Sequence, residues 1–139
     1  MTDPMTEPAH AALPGDTAVA RAASLSRYLA RQLDARPGLR AELSTAANRR
    51  LPEQDFGGLL PAQPLDEHNV KQHLRRLRTR VFAHLMVRDL AGLADLSEVT
   101  AGMSALADLA IAVALRTQEE VLIARHGEPR NAKGERQRL

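Results

Sequence analysis

The sequence has no cysteine and no tryptophan, and Tyr28, Phe56 and Phe82 are its only aromatic residues. Without cysteine there is no disulfide framework, no thiolate nucleophile and no cysteine zinc site, a composition that suits a reducing cytoplasm. With so few rings, Leu, Ala and Val must supply the apolar surface that folding buries, which favours helices over strands. Long apolar runs are also scarce. The richest window, Ala105 to Leu115, is interrupted by Asp108 and falls short of the roughly 20 residues that cross a bilayer. The opening MTDPMTEPAHAALPGD lacks the basic start and apolar stretch of a secretory signal. A soluble, cytoplasmic chain is expected, of at most one ordinary domain, since 139 residues bury roughly two-thirds of the surface an unfolded chain exposes.

Recognisable catalytic patterns are missing as well. His10, His68, His73, His84 and His126 form no i,i+4 pair and no H-E-x-x-H arrangement that would aim two nitrogens at one metal. Ser24, Ser26, Ser44, Ser97 and Ser104 lack a G-x-S-x-G context and read as helix caps or small packing residues. Gly57-Gly58 lacks the glycine spacing that cradles phosphate, and no D-x-D occurs on a strand-like run to hold a divalent cation. No residue is therefore assigned a catalytic, cofactor-binding or metal-binding role, and no cofactor is expected in this chain.

What is present is helical periodicity. Residues 1–15 contain Pro4, Pro8, Pro14 and Gly15 and are expected to be a flexible lead-in. Asp16 offers an N-cap, and Ala22, Leu25, Leu29 and Leu33 predict an amphipathic helix from Thr17 to about Arg36. Pro37 can open a second helix, because its missing N–H would have no intrahelical partner there, and Leu39, Leu43 and Ala46/Ala47 continue the stripe. Residues 52–65, with three prolines and Gly57-Gly58, read as a loop.

Asp66 caps a third predicted helix reaching about Leu90. Its stripe is Val70, Leu74, Leu77, Val81, His84/Leu85 and Arg88, with Lys71, Arg75 and Arg78 on the opposite side. Gly92 allows a turn, and Asp95 with Glu98 has capping-box spacing. A fourth helix of about thirty residues follows, ended by Gly127 and Pro129. It is apolar nearly all round between Ala105 and Leu115, which predicts burial against several neighbours. The expected fold is all-α, with about four helices, the last two long and antiparallel, a disordered lead-in and an extended C-terminal tail. Its divisions are 1–15, the lead-in; 16–127, the helical segment; and 128–139, a connector.

Net charge is only +2, but arginine is concentrated in Lys71 to Arg88 and in the closing RHGEPRNAKGERQRL. Such a face could meet a phosphate-rich partner, yet no aromatic stacking platform accompanies it, so nucleic acid is disfavoured. The plainer expectation is a solvated face paired with Asp66, Glu67 and Asp89. Asp108 would cost several kcal/mol if buried unpaired, so an arginine partner from the third helix, or a position at the surface edge, is expected.

SRYLARQLDARPGLRAELS, LRRLRTRVFAHLMVRDLAGLADLSEVTAGMSALADLAIAVAL and RHGEPRNAKGERQRL, in this order, resemble the front half of the bacterial glutamine-synthetase adenylyltransferase and adenylyl-removing enzymes. The likeness is collinear from about Ser26 to Leu139. It implies a two-headed nucleotidyltransferase that uses ATP and Mg²⁺, attaching AMP to a tyrosine of glutamine synthetase in one half and removing it by phosphorolysis in the other. Nearness to the initiator methionine implies the removing half. The resemblance further implies glutamine synthetase and the nitrogen-signalling PII protein as partners. In that family such helices lead into a strand, a Gly-rich Met-Gly-Lys-Leu-Gly-Gly loop and an Asp-x-Asp pair, none of which occurs here. The expectation is thus a truncated N-terminal part, inactive by itself, whose last helix exposes part of its apolar side. The alternative is a stand-alone helical module docking onto glutamine synthetase, PII or the rest of a split enzyme.

Overall fold

A computed structural model describes residues 13–137, so most of the predicted lead-in lies outside the described residues. The described chain is all-α: α1 (Gly15–Leu25), α2 (Arg27–Ala35), α3 (Pro37–Ala46), a 3-10 helix (Glu53–Leu59), α4 (Val70–Leu90) and α5 (Leu96–His126). It divides into two compact units, one formed by the residues up to Arg50 with Phe82–Thr100, the other by Leu51–Val81 with the residues from Ala101 onward.

In the first unit, the single helix predicted over 17–36 is two. The chain leaves helical geometry at Ser26 (φ −133°, ψ 107°). The Ser26 hydroxyl accepts from the Leu29 N–H at 3.2 Å, so the serine begins α2 as its N-cap and satisfies one of the N–H groups a helix start leaves unpaired. The break lets each short helix turn its own apolar residues inward: Ala18, Val19 and Ala22 from α1, Leu29 and Leu33 from α2. The start of α1 also differs from expectation. Pro14 occupies the N-cap and Asp16 lies in the first turn, where its charge still favours the helix dipole. α3 opens with Pro37 at its first position, as its sequence predicts.

These helices close around the second half of α4. Leu39, Leu43 and Ala47 meet Ala83, Val87 and Ala91 in one apolar core, with Leu13, Met86, Leu90 and Leu93 packed at its edge. Tyr28 and Phe82 lie with ring centroids 5.8 Å apart, tilted by 58°, a favourable aromatic geometry. Small residues set the spacing. A Cβ placed on Gly15 would lie 1.7 Å from the Ser44 carbonyl oxygen, so the start of α1 approaches the α3 backbone as only glycine permits. Leu13 is fixed beside it through its carbonyl, which accepts from the Asn48 amide at 2.6 Å.

The second unit contains a 3-10 helix within the stretch predicted as a loop; its Phe56 is 1% exposed. The aromatic ring supplies the anchor that the prolines and glycines around it cannot. Asp66 initiates α4 as expected, its carboxylate accepting from the N–H groups of His68 and Asn69. Val70, Leu77 and Val81 are buried. Glu67 pairs with Arg125 at 3.7 Å, and residues 74–78 lie beside residues 103–110, so the two long helices run antiparallel.

α5 is less buried than its all-round apolar stretch predicts, and part of its apolar side is exposed, as expected for a truncated segment. Ile111, Leu115 and Leu122 are 65%, 52% and 46% exposed, and Asp108 is exposed, with no ion pair among the described residues. The surface-edge alternative for Asp108 therefore holds rather than an arginine pair. By length and composition alone α5 is also long and apolar enough to cross a bilayer, a property hidden when the shorter 105–115 window is read alone. The stretch after Gly127 (φ 80°) is not simply extended: Arg130 and Arg136 form an isolated antiparallel bridge, and the Asn131 side chain accepts from the N–H groups of Lys133 and Glu135.

The close approach at Gly15 is testable. Gly15→Ala should lower stability by about 1–3 kcal/mol, as overpacking does, read as a lower urea midpoint with an unchanged denaturant slope.

Candidate functional site

Polar side chains in the first unit converge on Arg88, which is 6% exposed. Its place on the α4 stripe aims the guanidinium inward, and its donors are used on three sides. Nε donates to Glu98 Oε1 at 2.5 Å and one terminal nitrogen donates to Oε2 at 3.0 Å. The same nitrogen reaches the Leu93 carbonyl at 2.8 Å, and the other reaches the Ala47 carbonyl at 2.8 Å. Arg88 thus joins the end of α3, the turn after α4 and the first turn of α5. Its own carbonyl accepts from the Leu93 and Ala94 N–H groups.

The same contacts alter the expected capping box. The Glu98 N–H donates to Asp95 at 2.7 Å, completing one half, but the Glu98 carboxylate turns to Arg88 instead of back to the cap. A bidentate charge-assisted pair outweighs a single bond to a solvent-facing N–H. Residue spacing marks Arg88 as buried; the Glu98 partnership was hidden because the capping pattern offers that carboxylate a different destination.

His84, one turn earlier, is also buried, and its Nε2 has no hydrogen-bond partner. Burial pushes its pKa below the ordinary histidine value and the Arg88 charge adds to that, against smaller opposing influences from the Arg49 backbone, Glu98 and Glu42. A neutral imidazole with a bare nitrogen suits this place, because a second proton would put a cation beside Arg88.

Two hollows lie in the second unit. One, of about 340 Å³, is bounded by Gly57, Pro61 and Leu65 on one side and Val113, Arg116 and Glu120 on the other. Gly57 and Gly58 have ordinary backbone angles, and a Cβ on either would meet open space, so they form no phosphate cradle. The opposite charges of Arg116 and Glu120 at the rim give the hollow no single sign. The other is a groove of about 360 Å³ lined by Leu74, Arg75 and Arg78 from α4 and by Met103, Leu106, Ala107 and Ala110 from α5. Its lining is apolar apart from the two arginines.

Of the histidines and serines considered from the sequence, the structure gathers none into a reacting set. Ser26 is a cap, His84 belongs to the buried cluster, and His10 lies outside the described residues. No group of three or more His, Asp or Glu side chains suited to a metal is found among the described residues. The arginines also pair differently from expectation: Asp66 is spent on the start of α4, and Glu67 meets Arg125 rather than an α4 arginine. What the geometry offers is a buried clamp and an apolar groove.

A profile of the glutamate–ammonia ligase adenylyltransferase family matches residues 17–139. The chain belongs to that family. It is 38% identical over 122 residues to a bifunctional glutamine synthetase adenylyltransferase/adenylyl-removing enzyme of Aromatoleum aromaticum, covering 88% of this chain and 13% of the relative. Proteins of the same description are 41% identical in Burkholderia mallei, over 81% of this chain and 13% of the relative, and 50% identical in Nitrosomonas europaea, over 65% and 10%. The chain therefore spans about an eighth of the length of the first of these relatives. No solved structure matches. Within the resemblance, the Val87-Arg88-Asp89-Leu90 segment now has a physical role, because Arg88 is the clamp.

Removing the clamp should be severe. Arg88→Ala is expected to cost about 3–5 kcal/mol, since it strands a carboxylate that is mostly buried, and Arg88→Met with Glu98→Leu should recover part of that loss in the same urea titration. His84 predicts a pH dependence. Its folded pKa lies below the unfolded one, so the unfolded chain binds more protons in acid; stability is full above the unfolded value of about 6.5 and declines as pH falls below it. His84→Gln should flatten the decline between about pH 6.5 and 5, measured by thermal melts across that range.

Proposed function

We propose that this chain is a non-catalytic helical segment of an enzyme that transfers AMP between ATP or phosphate and a tyrosine of glutamine synthetase, in the control of nitrogen assimilation. The observation that carries this is the family match over residues 17–139, set against the 13% of the first relative's length that the match covers. The names of those relatives supply glutamine synthetase as target. The removing half, PII as a second partner, a cytoplasmic location, and ATP with Mg²⁺ in the complete enzyme belong to the same proposal.

The division of labour follows from chemistry. Nucleotidyl transfer needs backbone donors around the phosphates and carboxylates for the metal. Residues 1–139 contain neither a Gly-rich phosphate loop nor an Asp-x-Asp pair, so in this reading those groups come from other parts of the enzyme. This segment supplies shape: a core locked by Arg88 and Glu98, and a long helix with apolar surface to offer. The exposed side of α5 also supports the second reading, a helical docking module.

Calorimetry tests the main reading. Titration of the chain with ATP or ADP in the presence of Mg²⁺ should give no heat of micromolar binding. A saturable micromolar isotherm would show a nucleotide site in these residues and defeat the proposal.

A further inference from the structure

The outward face of α5 carries a regular pattern. Asp108, Ile111, Leu115, Gln118, Leu122 and Arg125 are all exposed and follow one another at alternating steps of three and four residues, the spacing that keeps one seam of a helix against a helical partner. Together they form a stripe about 100° wide and about 26 Å long at 1.5 Å per residue. Leu106 and Thr117, on the other side of the helix, are buried, so the stripe lies clear of the packing that holds α5 within its own unit. Its charges stand at opposite ends. Asp108 has no ion pair among the described residues. Arg125 meets Glu67 through one terminal nitrogen at 3.7 Å, with both side chains half or more exposed. A guanidinium presents five donors in a fixed fork, and the other two nitrogens of Arg125 have no acceptor among the described residues, so a second carboxylate can join Glu67 there.

We propose that two copies of this chain pair through this stripe, their α5 helices antiparallel about a two-fold axis that passes between Leu115 and Gln118. The order of the residues selects this occupant. Read backwards, the stripe is its own complement: Asp108 faces Arg125 of the second copy, Ile111 faces its Leu122, and Leu115 faces its Gln118. Each contact is made twice, as an isologous interface requires. A parallel pairing sets Asp108 against Asp108 and Arg125 against Arg125, which like charges oppose. Gln118 is the polar residue in the middle of the seam, and such a residue fixes register at some cost in stability. Ala112 and Ala114 flank the seam and are small enough for the helices to approach closely. A lipid surface would strip water from Asp108 and Gln118 without giving either a partner. With Ile111, Leu115 and Leu122 as the apolar residues from each copy, the contact belongs to the small, transient class, and a dissociation constant on the order of 10–100 μM is expected. The pairing uses no nucleotide and does not depend on the segment reading above, so the calorimetric result leaves it untouched.

Analytical ultracentrifugation of the full chain tests it. A reversible monomer–dimer equilibrium is expected between about 1 and 300 μM. Leu115→Glu should weaken it at least about tenfold, with circular dichroism unchanged because the position is exposed. Asp108→Arg should weaken the dimer at least about threefold, and adding Arg125→Asp to it should restore pairing, since the swapped stripe is again self-complementary when antiparallel. Orientation is read separately. The chain has no cysteine, so a spin label on Ser104→Cys marks one site per copy. The two sites should lie roughly 35–40 Å apart in the antiparallel dimer, against roughly 10 Å in a parallel one. A monomer at every concentration, a dimer indifferent to Leu115→Glu, a charge swap that leaves pairing weak, or the short label distance would each overturn the proposal. So would flotation with phosphatidylcholine vesicles that Leu115→Glu abolishes, which gives the stripe to a lipid surface.

Discussion

The first unit depends on one buried guanidinium. Arg88 is taken out of water, which is costly, and is stabilised there because each of its three nitrogens donates to an acceptor, the Glu98 carboxylate or the carbonyls of Ala47 and Leu93. Those carbonyls lie just past the ends of α3 and α4, where helices leave acceptors unpaired. The arginine therefore resolves two helix-end problems and one charge problem at once. A lysine offers a single point charge and could not span the three acceptors in the same plane.

Scarcity of aromatic residues makes this polar lock more consequential. The core of the first unit is built from Ala, Val and Leu, side chains that fill space without the large contact area of a ring. Alanines at 18, 22, 47, 83 and 91 and the bare Gly15 bring helix backbones close, so that position rather than side-chain bulk defines the packing. Such a core tolerates little displacement. Fixing the ends of the helices by hydrogen bonds restricts the sliding that small side chains alone would permit. His84 fits the same picture, its pKa held below the ordinary histidine value first by burial and then by the permanent cation beside it.

Most of the helical organisation was legible because it is a matter of period and punctuation. The α4 stripe, Pro37, Gly92 and Gly127 each act through local backbone physics that needs no tertiary context. What stayed hidden required knowledge of competing partners. The apolar spacing from Ala22 to Leu33 runs on without a gap, so the break at Ser26 shows only when the hydroxyl is found on Leu29. Glu98 matches a capping box, and only the arrival of Arg88 redirects it. The 3-10 helix around Phe56 sits in a proline- and glycine-rich stretch whose composition says loop, and a single buried ring outweighs that composition. The groove was half legible: Arg75 and Arg78 were placed on the open side of their helix, but its far wall comes from α5, about thirty residues away along the chain.

The exposure of α5 joins fold to function. Helix propensity alone would make an alanine-rich segment of 31 residues helical, but it would not place Ile111, Leu115 and Leu122 in solvent, because each exposed branched side chain forgoes roughly 1.5–3 kcal/mol of burial. A sequence that only had to satisfy its own fold would be better served by polar residues at these positions. The exposed apolar residues of α5 thus answer to something other than the packing of the described residues. In this chain a buried arginine, held by Glu98 and two carbonyls, defines the fold, while the exposed apolar residues of α5 define the surface that this fold presents.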